Sequence, residues 1–192
     1  MNKYILILYI LTQFIWSQNN PYEEFQLYMN SSEGRVLNIH FFQNQLGQEF
    51  ESDGTLYYSS NGSYTYDNAS QRINFNKNII TTTNKVSRQI IYDFVIPDEI
   101  TIFDILSGDN KNVQIDEVII EKDGFRIPFK IYDWDISGTI WTTPSTGKPK
   151  EIILSFSNNS DIRIQIKSST IMKNGSIPEI NTNGYEVIDL RE

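Results

Sequence analysis

The sequence predicts a mainly β fold of antiparallel strands, on three observations. In DIRIQIK, residues 161–167, Ile162, Ile164 and Ile166 alternate with Asp161, Arg163, Gln165 and Lys167, the period of two that gives a strand one wet face and one apolar face. Short segments of the same kind fill most of the chain beyond Gly34, and turn chemistry separates them at Asp53-Gly54, Asn61-Gly62, Asp123-Gly124, Gly138 and the loop from Pro144 to Pro149. Only two segments carry helical spacing. Two short helices cannot cover a sheet of roughly ten strands, which at about 4.8 Å per strand is tens of ångströms wide. The apolar face must either curl onto itself as a closed barrel filled by its own side chains, or stay partly open.

Taken in order, the chain begins MNKYILILYILTQFIWSQNN, a lone Lys3 before an apolar stretch from Tyr4 to Trp16. This reads as a secretory signal peptide over 1–17, cut near Ser17 and Gln18, with the folded domain over 18–192. The stretch is shorter than the roughly 20 apolar residues of a spanning helix. PYEEFQLYMN then places Tyr22, Phe25, Tyr28 and Met29 at helical spacing behind a proline suited to a first turn, with Gly34 as its end. Strands are expected in RVLNIHFFQ, SDGTLYYSS, GSYTYDN, QRINFN, NIITTT, RQIIYDF, VQIDEVII, GFRIPFKIYDWDI, GTIWTT, KEIILSFS, DIRIQIKSS and the terminal GYEVIDL. The second helix is expected in PDEITIFDILSGDN, where Ile100, Phe103 and Leu106 share a face and Gly108 stops it.

At 192 residues, 39% hydrophobic and 13% aromatic, with a formal charge of -8, the chain is sized for one folded domain. The acidic balance and the absence of a basic run argue against nucleic acid as a partner. There is no cysteine, so burial alone holds the domain together, with neither disulfide nor thiol-linked lipid. Reactive residues are sparse. His40, the single histidine, sits between apolar residues of a strand and reads as structural or exposed. Asp133 and Asp135 flank Trp134 on what would be one strand face about 7 Å apart, and read as solvated carboxylates rather than a glycosidase pair. No phosphate loop, nucleophile elbow or dinucleotide fingerprint occurs. No catalytic residue, metal site or cofactor is expected.

Several short motifs resemble those of the LolA-like outer-membrane lipoprotein carriers. Phe41 and Gln43 match the F-x-Q at the end of that family's first strand, Gly54 and Leu56 its G-x-L opening of the next, and Tyr64 and Tyr66 its aromatic positions after a turn. NKNIITTTNKVSRQ matches a family hairpin in layout, with Asn76 to Asn78 at the turn, Asn84 in the next loop and Gln89 opening the return strand. GYEVIDLR resembles the family's closing strand. The chain departs from the pattern at Ser60-Asn61, where Arg-Pro is common, and at Thr81 and Thr83, which stand in place of Trp and Tyr at the cavity rim.

The resemblance implies an unclosed antiparallel β-barrel, with short α-helices forming a lid over an apolar cavity. It implies a monomeric periplasmic protein that takes the acyl chains of lipoproteins from an inner-membrane lipoprotein-releasing complex to an outer-membrane acceptor, without catalysis. The residues expected to line the cavity or its lid are Leu37, Ile39, Phe41, Leu56, Tyr58, Tyr64, Tyr66, Phe103, Leu106, Ile152, Leu154, Phe156 and Ile164. In that reading the hydroxyls of Tyr58, Tyr64 and Tyr66 weaken the hold on a lipid enough for release. The alternative is an exported β-sandwich for adhesion or assembly, its apolar faces packed against each other and without a lipid ligand.

Overall fold

The computed structural model describes residues 20–45, 47–59, 62–95, 105, 113–157, 160–173 and 176–191. The leader expected over 1–17, Ser60-Asn61 and the second expected helix with Phe103 and Leu106 lie outside the described residues. Within that helix Ile105 alone is described, helical and 3% exposed.

Helix α1 spans Pro21–Met29. The Asn20 side chain caps it by accepting from the Tyr22 backbone N–H at 3.0 Å, Pro21 occupies a position with no N–H partner to lose, and Glu23 and Glu24 face the positive end of the helix dipole. Phe25 and Met29, one turn apart, carry its buried stripe. The helix ends at Asn30, earlier than the Gly34 expected to stop it. Gly34 serves the next turn instead, with φ at 76° and so little room that a Cβ would lie 2.6 Å from the Tyr58 carbonyl.

The strands among the described residues are β1 Arg35–Gln45, β2 Gln48–Tyr58, β3 Tyr64–Asn68, β4 Gln71–Asn76, β5 Ile79–Asn84, β6 Gln89–Phe94, β7 Gln114–Ile115, β8 Ile119–Glu121, β9 Gly124–Ile131, β10 Ile136–Thr142, β11 Pro149–Phe156, β12 Asp161–Ile171 and β13 Glu186–Asp189. All belong to one sheet, ordered β13-β6-β5-β4-β3-β2-β1-β12-β11-β10-β9-β7 with β8 also on β9. Its two ends are not joined by hydrogen bonds, so the fold is mainly β and an unclosed barrel. A single continuous sheet also replaces the two sheets of the alternative sandwich. Every pair is antiparallel except β13 on β6, which is parallel, so the last strand extends an edge and does not close the sheet. The expected strand VQIDEVII is split into β7 and β8, and the split falls opposite Pro128, which has no N–H to offer an edge strand.

Two glycines expected at turns lie inside strands. Gly54 sits in β2 and Gly138 in β10. A Cβ on Gly54 would fall 2.4 Å from the Tyr66 ring, and one on Gly138 would fall 2.4 Å from the Phe129 ring and 2.5 Å from the Ile153 carbonyl oxygen. Each glycine leaves the space an aromatic side chain crosses as the sheet bends. A bulge in the β1–β12 pairing between Asn38 and Ile39 adds to the curvature.

The expected strand through Tyr132, Asp133, Trp134 and Asp135 is also corrected. Residues Tyr132–Trp134 form a 3₁₀ turn and Asp135 is left-handed at φ 48°, so β9 and β10 form a hairpin. Asp133 and Asp135 therefore share no strand face. The physical reason lies in the spacing: Ile131 and Ile136 are both buried, and five positions apart on one strand they would face opposite sides.

Candidate functional site

The register sets the side chains of the concave face in rows. One row crosses the sheet through Leu37, Leu56, Tyr66, Ile73, Thr82, Ile91 and Ile188. Beside it run Tyr58, Tyr64, Phe75, Ile80 and Asp93. On the other half, Phe41, Ile164, Ile152, Ile140 and Ile127 form a third row. Exclusion from water differs between the halves.

Under α1 the concave face is packed solid. Phe25 and Met29 are 0% exposed and join Leu37, Leu56, Ile127, Ile131 and Ile152 at 0% in one cluster. The helix is seated by close contacts: a Cβ on Gly147 would lie 2.1 Å from the Glu24 carbonyl oxygen, and the Tyr28 hydroxyl bonds Ser169 Oγ at 2.6 Å. Arg35 Nε donates to the Tyr28 carbonyl at 2.8 Å while its guanidinium lies 4.0 Å from that ring's centroid. Tyr58 donates its hydroxyl to Asn30 Oδ1 at the helix end.

Toward β13 the cover thins. Along the first row Leu37 and Leu56 are at 0% and Tyr66 at 7%, whereas Ile73, Thr82, Ile91 and Ile188 are only half-buried. Phe75 and Ile80 are half-buried as well, with Phe75 stacked on Tyr64 at 4.7 Å between centroids and 1° between planes. Leu190, beyond β13, is 55% exposed. The result is an apolar trough: Tyr64 and Tyr66 form its inner wall, Ile73, Phe75, Ile80 and Ile91 its floor, and β13 its outer rim.

Of the residues expected to line a cavity, the structure brings Leu37, Ile39, Leu56, Tyr58, Tyr64, Tyr66, Ile152, Leu154 and Ile164 together in the buried cluster, with Phe41 and Phe156 packed at its margin. The half-buried floor was missed. Its signal was present in QRINFN, where Ile73 and Phe75 alternate with Arg72, Asn74 and Asn76. Thr81 and Thr83, expected at the cavity rim, pair beside Asn74 and Arg72 on the convex face. The Tyr66 hydroxyl bonds Ser52 Oγ at 3.2 Å, so it and Tyr58 meet the chain's own polar groups. His40 faces outward, 3.0 Å from Asp53 Oδ1.

Charged groups on the concave face include Arg35 under the helix and Asp93 at the end of β6; others lie on the convex face and the rim. Arg72, 7% exposed, donates to the Pro178 carbonyl at 2.6 Å and lies 3.5 Å from Asp67, which Lys85 also pairs. At the rim, the Arg191 side chain and then its backbone N–H hydrogen-bond Asp189 and hold that carboxyl at a pKa of about 2. Arg191 is raised in turn, first by the same hydrogen bond. Lys130 is raised by its hydrogen bond to Asp116, at 3.2 Å. Among the described residues no cluster of His, Asp or Glu is placed to hold a metal ion.

No protein-family model matches the chain, and no curated protein matches it in sequence. Solved structures do. An uncharacterised conserved protein from Thermus thermophilus is similar with a TM-score of 0.48 and 7% identity, over 88% of this chain and 99% of that one. A LolA superfamily protein, NE2245 from Nitrosomonas europaea, is similar with a TM-score of 0.44 and 10% identity over 82% and 93%. LprF from Mycobacterium bovis is similar with a TM-score of 0.41 and 9% identity over 82% and 97%.

Proposed function

We propose that the chain is a periplasmic carrier that shields the acyl chains of lipoproteins in the trough and hands them from an inner-membrane releasing complex to an outer-membrane acceptor. The observation that carries this reading is the partly exposed apolar row from Ile73 to Ile188, which continues a row that is fully buried at Leu37 and Leu56. The apolar leader and the LolA-like motifs in the sequence support it.

Energetics favour a shuttle over a permanent binder. An acyl chain gains about 0.8 kcal/mol for each CH₂ withdrawn from water. A fully enclosed palmitoyl chain would gain more than ten kcal/mol on that scale and would not leave on a useful timescale. A trough whose floor is half-buried before loading covers one side of such a chain and recovers only part of that energy. No covalent step is needed. The test is titration of the purified full chain with a fluorescent triacylated lipopeptide in detergent-free buffer. Saturable binding, competed by unlabelled lipopeptide and not by its deacylated form, is expected. Equal competition by the deacylated peptide would count against acyl recognition.

A further inference from the structure

We propose that β13 is a hinged wall of the trough, a latch that closes against the cargo's acyl chains and lifts to release them. The inference rests on the carrier reading above and adds to it the element that gates the site.

β13 is built unlike the strands it adjoins. It spans Glu186–Asp189, against Arg35–Gln45 for β1, and pairs in parallel, the slightly weaker mode. Its outward side chain Val187 is 60% exposed. Strands of this kind, short, terminal and poorly buried, open locally at far less cost than the core.

Its two faces do different work. Ile188 sits beside Ile91 on the concave side, and Leu190, two positions on, continues that side while 55% exposed. An acyl chain lying on Ile73, Ile80 and Ile91 would bury both. Cargo would therefore stabilise the docked strand, and undocking would remove one wall from the cargo. By linkage these are a single equilibrium.

The anchorage on the convex side keeps a lifted strand in reach. β12 and β13 are seven strand spacings apart, roughly 34 Å, within the reach of the residues that separate them in sequence, and the described residues 176–185 lead to β13 past Arg72 on the outer face. Arg72 holds the strap at the Pro178 carbonyl and Arg88 at the Asn183 carbonyl, at 2.6 and 2.9 Å. Beyond these points β13 is held by its short ladder on β6 from Glu186 to Asp189, flanked by Glu186 N–H on the Arg88 carbonyl and Leu190 N–H on the Tyr92 carbonyl, by the Gln89–Glu186 contact and by the Arg191 guanidinium 5.0 Å from the Tyr92 ring. The hinge falls at Asn183-Gly184, where Gly184 has φ at 72°.

The chain has no cysteine, so a designed pair is unambiguous. Ile90 and Val187 are side by side on the convex face, at a parallel-strand spacing of about 4.8 Å that suits a disulfide. In the full chain carrying Ile90→Cys and Val187→Cys, oxidation should slow release of a fluorescent palmitoyl probe about tenfold or more, and reductant should restore it. In the unmodified chain, the Glu186 and Leu190 amides should exchange at least about tenfold faster than those of β1 and become protected on loading. Equal release rates in the oxidised and reduced pair, or β13 amides as slow as those of β1 without probe, would overturn the latch. Failure of the unmodified chain to take up the probe would overturn the carrier reading itself, and the gate with it.

Discussion

Replacing Ile73 by Glu separates the trough from the core more cleanly than any substitution within the packed cluster. Ile73 is half-buried between Tyr66 and Thr82 on the concave face. Fully burying an isoleucine is worth about 1.5–3 kcal/mol, and most of that is at stake at a side chain that is only partly exposed. A glutamate at this position keeps its carboxylate in water, so the variant should lose about 1–2 kcal/mol and its Tm should fall by about 3–8 °C. Loading is affected differently, because an acyl chain laid over position 73 must take the carboxylate out of water. Covering an unpaired polar group costs about 2–7 kcal/mol, and taking about 3 kcal/mol as the effective figure gives a loss of affinity of about two orders of magnitude. The assay is titration with the fluorescent triacylated lipopeptide beside a thermal melt of the same sample. A folded variant with unchanged affinity would refute the placement of the chain on Ile73. Tyr64→Glu is a poorer probe, because Tyr64 is 3% exposed and stacked on Phe75, and it should unfold the protein before it reports on binding.

Other outcomes follow from the same geometry. Gly138→Ala should destabilise by about 1–3 kcal/mol, since its Cβ meets the Ile153 backbone oxygen at 2.5 Å, which cannot rotate away; denaturant unfolding measures it, and an unchanged midpoint would contradict the close approach. His40→Gln on the convex face should leave lipopeptide affinity within about twofold, because a change smaller than about 0.5 kcal/mol is expected of a surface site. Asp189, held at about 2 by Arg191, should titrate there by carboxyl NMR and move up toward its ordinary 3.8 in Arg191→Ala. The sign follows from the lowered pKa: the local contact between Asp189 and Arg191 is fully present above pH 3.8 and is lost as pH falls through about 2.

Much of the architecture was legible because period-two alternation marks half-buried strands well. QRINFN became β4 at the expected bounds, and the two-residue turn at Lys77-Asn78 set its register with β5. Where both faces carry similar side chains the signal fails. In NIITTT, Ile79 and Ile80 face opposite sides, so alternation alone could not say that Thr81 and Thr83 point outward. Glycine was ambiguous in the same way: Gly54 and Gly138 look like turn residues, yet what demands them is an aromatic ring placed there by a neighbouring strand. The parallel docking of β13 was invisible for a deeper reason, since alternation in GYEVIDL fixes which residues share a face and says nothing of the partner strand or its direction. The concave site was read as one cavity because apolar type does not distinguish a fully buried side chain, such as Leu37, from one left partly exposed, such as Ile91.

The most direct measurement is native mass spectrometry of the full chain purified from an exporting bacterial host without detergent, before and after incubation with a triacylated lipopeptide. A bound acylated species that leaves on collisional activation, and that is lost in Ile73→Glu, is the predicted result. A protein that keeps its unliganded mass throughout, even with excess lipopeptide, would contradict the claim that its partly exposed apolar row exists to hold acyl chains.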